Sequence, residues 1–372
     1  MAESMTYAGV GVDYDSMDPF KRMAQLAARE TAGNIKRFGF SEMAMSRGES
    51  AYLIETADYY LAHVEEGLGT KNLVADAMYR LTGKSYYDHL AQDTVAMIVN
   101  DMITLGALPF SVAMHLAVGD SHWFDDEQRC HDLVEGWKNA CDLTRCVWGG
   151  GETPTLKNII APGTVVLSGS AMGVVKPKSR LITAEKIRHG DAIILLASSG
   201  IHANGLTMTR EIAHKLPDDY LTRLSNGRTY GETLLDPTYI YAPLIEDCLD
   251  RGIDIHYAVN ITGHGWRKLM RAMQPFAYFI EHLPKQLPIF DFIQQYGPVD
   301  DREAYSVFNM GAGFALYVPE ADVQKVWYVL NLYNTPHRFS AVYAGHIETS
   351  REKRVVIKPK NLEYFGATLG VR

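Results

Sequence analysis

The stretch Glu65–Lys71, with the sequence Glu-Glu-Gly-Leu-Gly-Thr-Lys, constrains the fold more than any other part of this 372-residue chain. Residues 57–64 predict a strand before it, and residues 72–81 predict a helix after it. Glycines let a backbone pass close to a bulky anion, and the first N–H groups of a helix point at such an anion. A lysine can bind a phosphate and carboxylates can bind Mg²⁺. The stretch favours a nucleotide triphosphate site, with a plain glycine-rich turn as the alternative, because its spacing is not that of a P-loop.

Two later junctions repeat the order of strand, glycine-containing polar loop and helix. Residues 191–216 predict a buried strand, the loop Ser198–Gly205 and a helix. His202 in this loop could donate to a phosphate or move a proton near neutral pH, whereas a loop histidine is more often simply exposed. The loop Asn260–Gly265 precedes a predicted helix at residues 266–273. Strands that alternate with helices in both halves of the chain predict α/β or α+β domains.

Two further segments place carboxylates in unusual surroundings. The dipeptide Asn100-Asp101 lies inside a predicted apolar helix at residues 86–106. A buried lone charge is costly, so Asp101 must be hydrogen-bonded, metal-bound or exposed. Gly149–Glu152 presents a carboxylate after three glycines, which indicates either close approach to a ligand or a tight turn with a solvated glutamate.

The N-terminal residues 1–18 are glycine-rich and irregular, which is typical of a frayed terminus. Asp13 and Asp15 in this segment are nevertheless candidates for a functional role. A helix is predicted at Pro19–Arg37, with Asp18 as its N-cap and the proline at the first helical position.

The segment Lys176–Ser179 interrupts the pattern and predicts a domain boundary. The expected organisation is a first domain at residues 1–175, a second at 176–350 and a basic, peripheral tail at 351–372.

Composition excludes some classes of partner. The chain has 36 basic and 44 acidic residues and a net charge of −8, so no broad attraction to nucleic acid or anionic lipid is expected. Its four cysteines form no CxxC pair and indicate reduced thiols in a cytosolic protein. No apolar run reaches the length of a membrane span and the N-terminus is acidic, so a cytoplasmic location is expected.

Taken in order along the chain, these segments resemble the phosphoribosylformylglycinamidine cyclo-ligase (aminoimidazole ribonucleotide synthetase) family of de novo purine synthesis, from Tyr7 to about Ile347. The matching motifs are Val10–Asp13, Glu66–Lys71, Val99–Asp101, Gly150–Thr153, Ser198–Gly205 and Phe308–Gly313. The chain departs from the family at Glu66, where the family has Asp. It departs again at Asn260 and His264, in the family's His-x-Thr-Gly-Gly-Gly.

The resemblance implies a mixed α/β (α+β) chain of two domains. The N-terminal domain would pair with that of a second copy, so that two sheets close a barrel in a homodimer. The C-terminal sheet would pack with helices, and the active site would lie in the cleft between the domains.

The resemblance also implies a reaction and its residues. ATP would phosphorylate the formyl oxygen of formylglycinamidine ribonucleotide, and ring closure would then release phosphate. The implied catalytic residues are Lys71, Asp101 and His202. The implied ATP-binding residues are Asp13, Asp15, Gly67, Gly69, Thr70, Lys71, Asn100, Gly151 and Glu152. The implied substrate-binding residues are Ser199, Gly200, His202, Asn204, Thr262 and Gly263, and the implied Mg²⁺ ligands are Glu66, Asp101 and Glu152.

Other members of the superfamily are alternatives. Selenophosphate synthetase is disfavoured because the first cysteine here is Cys130, and the hydrogenase-maturation relative because the chain ends Gly370–Arg372 rather than in Cys. Thiamine-phosphate kinase lacks the histidine loop, and the glutamine-dependent amidotransferase is generally longer. A paralogue that activates another amide or amidine, or a non-catalytic nucleotide-binding relative, stays open.

Overall fold

A computed structural model describes residues 5–333 and 339–369. Within these two ranges no helix has the length and apolar character needed to cross a membrane. The chain builds two sheets, one from its first half and one from its second, and each sheet has its own helices. The predicted α/β (α+β) class with two domains is therefore confirmed.

The first sheet has six strands in the order β1-β2-β3-β6-β4-β5, of which only β4 and β5 run parallel to each other. Its strands are β1 (Ser41–Glu42), β2 (Tyr52–Glu55), β3 (Tyr60–Gly67), β4 (Leu108–Val118), β5 (Val147–Glu152) and β6 (Val165–Val175). The helices of this half are α1 (Tyr14–Glu30), α2 (Lys71–Thr82), α3 (Tyr87–Met102) and α4 (Glu127–Thr144).

Only one face of the first sheet is covered. Along β6, small and apolar residues that are buried alternate with half-buried or exposed ones, as a period of two requires. Helix α3 packs on the buried face and is itself buried along most of its length. The opposite face leaves Met172 and Val166 of β6 nearly half exposed.

The second sheet has seven strands in the order β13-β12-β9-β11-β7-β10-β8. Its strands are β7 (Ala192–Ala197), β8 (Tyr257–Asn260), β9 (Phe276–Ile280), β10 (Ala312–Val318), β11 (Ala341–Thr349), β12 (Arg354–Ile357) and β13 (Leu362–Phe365). Its helices are α5 (Leu206–Ala213), α6 (Tyr230–Leu234), α7 (Ala242–Asp250), α8 (Pro288–Tyr296), α9 (Asp301–Val307) and α10 (Val323–Leu332). The central strands β7 and β10 are buried on both faces, which explains their continuous apolar sequences.

Three segments differ from the sequence-based expectation. Strand β3 continues to Gly67, so Glu66 belongs to the strand rather than to the turn. Helix α1 begins at Tyr14, because the side chain of Asp13 accepts from the amide of Asp15 and caps the helix there. Pro19 lies inside this helix, where it removes one backbone hydrogen bond. The glycines before Glu152 form edge strand β5 rather than a turn.

The segment after residue 351 is not a peripheral tail. Strand β12 pairs in parallel with β9, and β13 closes that edge of the second sheet. Val355 and Ile357 are fully buried there. Apart from Arg354, the basic residues at positions 351–360 lie before or between these two short strands, and they concealed the strands' apolar residues in the sequence.

Candidate active site

A cavity of about 740 Å³ lies between the two halves of the chain. The first half contributes helix α1, the residues 48–50 and the end of β3 with the loop that follows it. The second half contributes the loop before α5 and the segment 262–271. A volume of this size is in the range of sites for drug-sized ligands and nucleotides.

Two carboxylates meet in this cavity. Glu66 points from the end of β3 and Asp101 from the last turn of α3. Asp101 Oδ1 accepts a hydrogen bond of 2.7 Å from Asn260 Nδ2, which fixes that carboxylate. Burial, together with the negative charge of Asp101, raises the pKa of Glu66 to about 7.

Two cations lie beside these acids. Lys268 Nζ donates to Thr262 Oγ1 and, at 3.4 Å, to the carbonyl oxygen of Asn260. Burial lowers the pKa of Lys268, although the nearby Asp101 opposes this shift. Arg271 donates to the carbonyl oxygen of Gly48 at 2.8 Å. We call Glu66, Asp101, Lys268 and Arg271 the cavity cluster.

The loop from β3 to α2 adds backbone donors to the cavity. Gly67, Gly69 and Thr70 all line it. Gly69 has a φ of +74°, a conformation that favours glycine. Thr70 precedes the twelve-residue helix α2 without a side-chain cap, so its hydroxyl does not compete with an anion for the first N–H groups of the helix.

Helix α1 lies over the cavity and is attached to the second half of the chain through His264. The ring of Tyr14 stacks on the imidazole with centroids 3.7 Å apart, and the amide of His264 donates to Tyr14 Oη at 3.3 Å. Burial, reinforced by the charges of Arg267 and Lys268, lowers the pKa of His264 to about 3. The imidazole is therefore neutral near pH 7, and its 3.7 Å contact with Asp18 is not an ion pair there.

Lys71 does not line the cavity. Its ammonium group is fully buried, lies 2.7 Å from Asp93 Oδ2 and donates to the carbonyl oxygen of Asp236 at 2.9 Å. Asp93 in turn accepts from the amide and the hydroxyl of Thr238. The positive charge of Lys71, which the sequence predicted to bind a phosphate, is therefore neutralised by Asp93 inside the protein.

His202 lies next to this buried pair. It is 1% exposed, and burial together with the charge of Lys71 lowers its pKa to about 3. Its Nε2 accepts from the amide of Ser199 at 3.3 Å, so the imidazole is neutral and cannot shuttle a proton near pH 7. We call Lys71, Asp93, His202 and Thr238 the interior cluster.

Asn100 holds the two halves together, and Ser199 is held by a contact within the second half. Asn100 accepts from the amide of Tyr241 at 2.9 Å and donates to the carbonyl of Tyr239 at 2.7 Å, which uses both ends of its side-chain amide. Ser199 Oγ donates to the carbonyl of Pro237 at 2.6 Å. These contacts join helix α3 and the histidine loop to one segment of the second half.

Glu152 is separated from the cavity by the width of the sheet. Across the paired strands, Glu152 is in register with His115 of β4, Ser168 of β6 and Gly67 of β3. Strands β5 and β3 are three strand spacings apart, so Glu152 lies about 14 Å from Gly67. Neighbouring residues of a strand point to opposite faces, so Glu152 and Glu66 lie on opposite faces of the sheet. Within one chain they cannot share a metal ion.

The structure divides the predicted site residues into two sets. Those that line the cavity are Glu66, Gly67, Gly69, Thr70, Asp101, Asn204, Thr262 and Gly263. Those that do not are Asp13, Asp15, Lys71, Asn100, Gly151, Glu152, Ser199, Gly200 and His202.

Sequence reasoning missed Tyr14, Lys268 and Arg271, all of which line the cavity. The two basic residues follow the third glycine-containing loop. Their position directly after that loop was the available signal.

The cavity acids fit a Mg²⁺ ion that is completed by phosphates. Among residues 5–333 and 339–369, no group of three His, Cys, Asp or Glu side chains could hold a metal by itself. Mg²⁺ is usually bound by one or two carboxylates plus substrate phosphates and water. The adjacent, largely buried Glu66 and Asp101 provide that pair of hard oxygen ligands.

Comparison with known proteins adds independent information. Residues 48–175 match the family model "AIR synthase related protein, N-terminal domain", and residues 188–358 match "AIR synthase related protein, C-terminal domain". The chain is 36% identical over 354 residues to the phosphoribosylformylglycinamidine cyclo-ligase of Methanocaldococcus jannaschii, covering 94% of this chain and 95% of that protein.

Solved structures with the same fold include two proteins of other names. The hydrogenase maturation protein HypE in complex with ATP superposes with a TM-score of 0.59 at 16% identity, covering 82% of this chain and 84% of that one. Thiamine monophosphate kinase from Aquifex aeolicus gives a TM-score of 0.55 at 14% identity, covering 84% and 92%. At these identities the likeness establishes the fold alone.

Proposed function

Because this chain belongs to the phosphoribosylformylglycinamidine cyclo-ligase family, we propose that it converts formylglycinamidine ribonucleotide and ATP into aminoimidazole ribonucleotide, ADP and phosphate. The observation that carries the proposal is the identity over 94% of the chain to an enzyme of that name. The cavity supports it, since a glycine-rich loop and two carboxylates meet there.

The nucleotide would bind with its phosphates at the loop between β3 and α2. Glu66 and Asp101 would hold Mg²⁺, which would neutralise phosphate charge when bound. Gly67 and Gly69 allow the backbone to approach the phosphates, and the N–H groups at the start of α2 point in the direction where an anion is stabilised.

The substrate would bind on the side of the cavity formed by the second half of the chain. Asn204, Thr262 and Gly263 line that side. Phosphorylation makes the formyl oxygen a leaving group, and the neighbouring nitrogen then attacks the same carbon. Such chemistry needs positioning and charge stabilisation more than it needs a strong base. A neutral, buried His202 is compatible with this requirement because its role is then to hold the loop.

Helix α1 would act as the cover that excludes water from the reacting groups. Tyr14 and Lys21 of this helix line the cavity. Asp13 and Asp15 would contribute to the start of the helix rather than to ATP, since Asp13 accepts from the amide of Asp15.

A homodimer is part of the proposal. The open face of the first sheet exposes Met172 and Val166, and a second copy packed on it would close a barrel. Glu152 lies on this same face and would then face the partner. Sedimentation equilibrium would test this, and a monomeric mass at micromolar concentration would contradict it.

The four cysteines are free thiols, in keeping with a cytoplasmic location.

A paralogue with another substrate is the second candidate. The departures at Glu66, Asn260 and His264 lie at or next to the cavity, because Glu66 and His264 line it and Asn260 holds Asp101. Substitutions at these positions would change the distance from the carboxylates to the metal, or the shape of the part of the cavity that binds the substrate.

A direct assay separates these candidates. The protein is mixed with ATP, Mg²⁺ and formylglycinamidine ribonucleotide, and aminoimidazole is detected by diazo coupling. Colour together with stoichiometric ADP is the expected result. ADP that appears only with a different amide or amidine would favour the paralogue. Tight ATP binding without ADP from any substrate would favour a non-catalytic relative.

A further inference from the structure

Lys268 is an ammonium group of the cavity for which the described residues provide no carboxylate partner. Its two hydrogen-bond acceptors, Thr262 Oγ1 and the carbonyl of Asn260, are both neutral. No carboxylate oxygen of the described residues lies within ion-pair distance of its Nζ. Lys71, by contrast, lies 2.7 Å from Asp93. A desolvated cation without a counter-ion is costly unless a ligand supplies the negative charge.

The structure also fixes where Lys268 points. Asn260 binds Asp101 through its side-chain amide, at 2.7 Å, and Lys268 through its backbone carbonyl, at 3.4 Å. One residue at the end of β8 therefore positions both the acid and the cation. Thr262, which also lines the cavity, provides the second contact that holds the ammonium group in place.

We propose that Lys268 is a catalytic residue, which binds the phosphoryl group during its transfer from ATP and the inorganic phosphate during its release. This inference rests on the proposed function. It assigns to Lys268 the phosphate-binding role that the sequence predicted for Lys71. Arg271, whose guanidinium donates to Gly48 and Ser50 and lies 3.8 Å from Glu49, is at the same end of the cavity but already has a carboxylate partner.

The step is balanced without any further reactant. The bond between the γ-phosphorus and the oxygen it shares with the β-phosphate breaks, and a bond from the formyl oxygen to that phosphorus forms. Attack by nitrogen on the formyl carbon then breaks the carbon–oxygen bond, and the oxygen leaves with its electron pair as part of inorganic phosphate. One net proton, lost from the nitrogens of the closing ring, passes to water. Lys268 stabilises the negative charge in both steps and keeps its proton.

The test compares Lys268→Met and Lys268→Arg with the wild type. Lys215→Met, on an exposed residue after α5, is the matched control. The affinity for inorganic phosphate, without Mg²⁺, and for ATP is measured by calorimetry, and kcat and KM by the diazo assay. Lys268→Met is expected to weaken phosphate binding at least about tenfold and to lower kcat about 100-fold or more. Lys268→Arg should restore most of the phosphate binding but only part of kcat.

Thermal unfolding of each variant separates this role from a structural one. A structural lysine would lower the melting temperature without changing phosphate affinity in the folded fraction. The proposal is overturned if folded Lys268→Met binds phosphate and ATP like the wild type and retains kcat within threefold. Phosphate binding is measured without the second substrate, so a wild type that makes no aminoimidazole would contradict the proposed function and leave this binding test intact.

Discussion

The cavity cluster and the interior cluster contain the same kinds of residue in opposite states. In the interior cluster, Lys71 and Asp93 are both fully buried and form an ion pair of 2.7 Å. In the cavity cluster, Glu66 and Asp101 lie close enough to repel each other, and Lys268 has only neutral hydrogen-bond acceptors. The charges of Lys71 and Asp93 neutralise each other, whereas those of Lys268 and the two cavity acids are left for a ligand.

A residue of a ligand-binding motif need not touch the ligand of that motif. Lys71 directly follows the loop that lines the cavity, yet it begins helix α2 and its side chain extends into the interior. Lys268 lies almost two hundred residues later and faces the acids. Pairing of the charge, rather than the presence of the residue type, distinguishes a structural from a functional role.

The largest expected effect concerns the interior cluster. Lys71→Met leaves Asp93 buried without its counter-ion and is expected to lower the free energy of unfolding by about 3–5 kcal/mol. Urea unfolding measures this change. The double variant Lys71→Met/Asp93→Leu should recover part of the loss, because it removes the orphaned carboxylate. A Lys71→Met protein of normal stability that no longer binds ATP would reverse the roles of the two clusters.

The next effect concerns the cavity cluster. Asp101→Asn keeps an oxygen that can accept from Asn260 but removes the negative charge, so we expect a fall in kcat/KM of about 10³-fold with little change in stability. The Mg²⁺ concentration needed for half-maximal turnover should rise. Asp93→Asn is the comparison, since it should reduce stability more than it reduces the Mg²⁺ response of the folded protein. Full activity of Asp101→Asn would remove this residue from the site.

Substitution of Glu66 is expected to change stability by a smaller amount, and this change depends on pH. Its pKa is raised from 4.5 to about 7, so the folded protein binds the proton more tightly than the unfolded chain does. The ligand-free protein therefore loses stability as the pH rises from about 4.5 through about 7. Glu66→Gln should remove that loss and stabilise the ligand-free protein by about 1–2 kcal/mol at pH 8, but not at pH 4.

The same substitution should weaken binding of Mg²⁺ and ATP. Thermal melts at the two pH values, with and without Mg²⁺ and ATP, separate these opposite effects. Equal melting temperatures of Glu66→Gln and the wild type at pH 8 would contradict the repulsion between the two acids.

The smallest expected effect concerns the cover over the cavity. His264→Ala removes the ring on which Tyr14 stacks, a contact worth about 0.5–1.5 kcal/mol. Helix α1 should detach more often, which trypsin cleavage within it would report, and KM for ATP should rise a few fold. The Tyr14→Leu variant should behave alike, and the double variant should add little more. Additive effects would show that the two rings act independently.

Local sequence patterns predicted most of the secondary structure, and about half of the site residues that they indicated line the cavity. The periodicity of α3 and the apolar runs of β7 and β10 predicted elements that the structure confirms, because burial of one face or of both faces leaves a direct trace in the sequence. The glycines and acids of the loop after β3 indicated an anion and metal site, and Glu66 with Asp101 does lie in the cavity.

Only the tertiary structure decided which charges face that cavity. The sequence does not show that Lys71 pairs with Asp93, that Glu152 lies on the far face of the sheet, or that Asn260 places Lys268 beside Asp101. Each depends on contacts between segments distant in the chain, and the free energy of a charge is set by what surrounds it in space rather than by its neighbours in sequence.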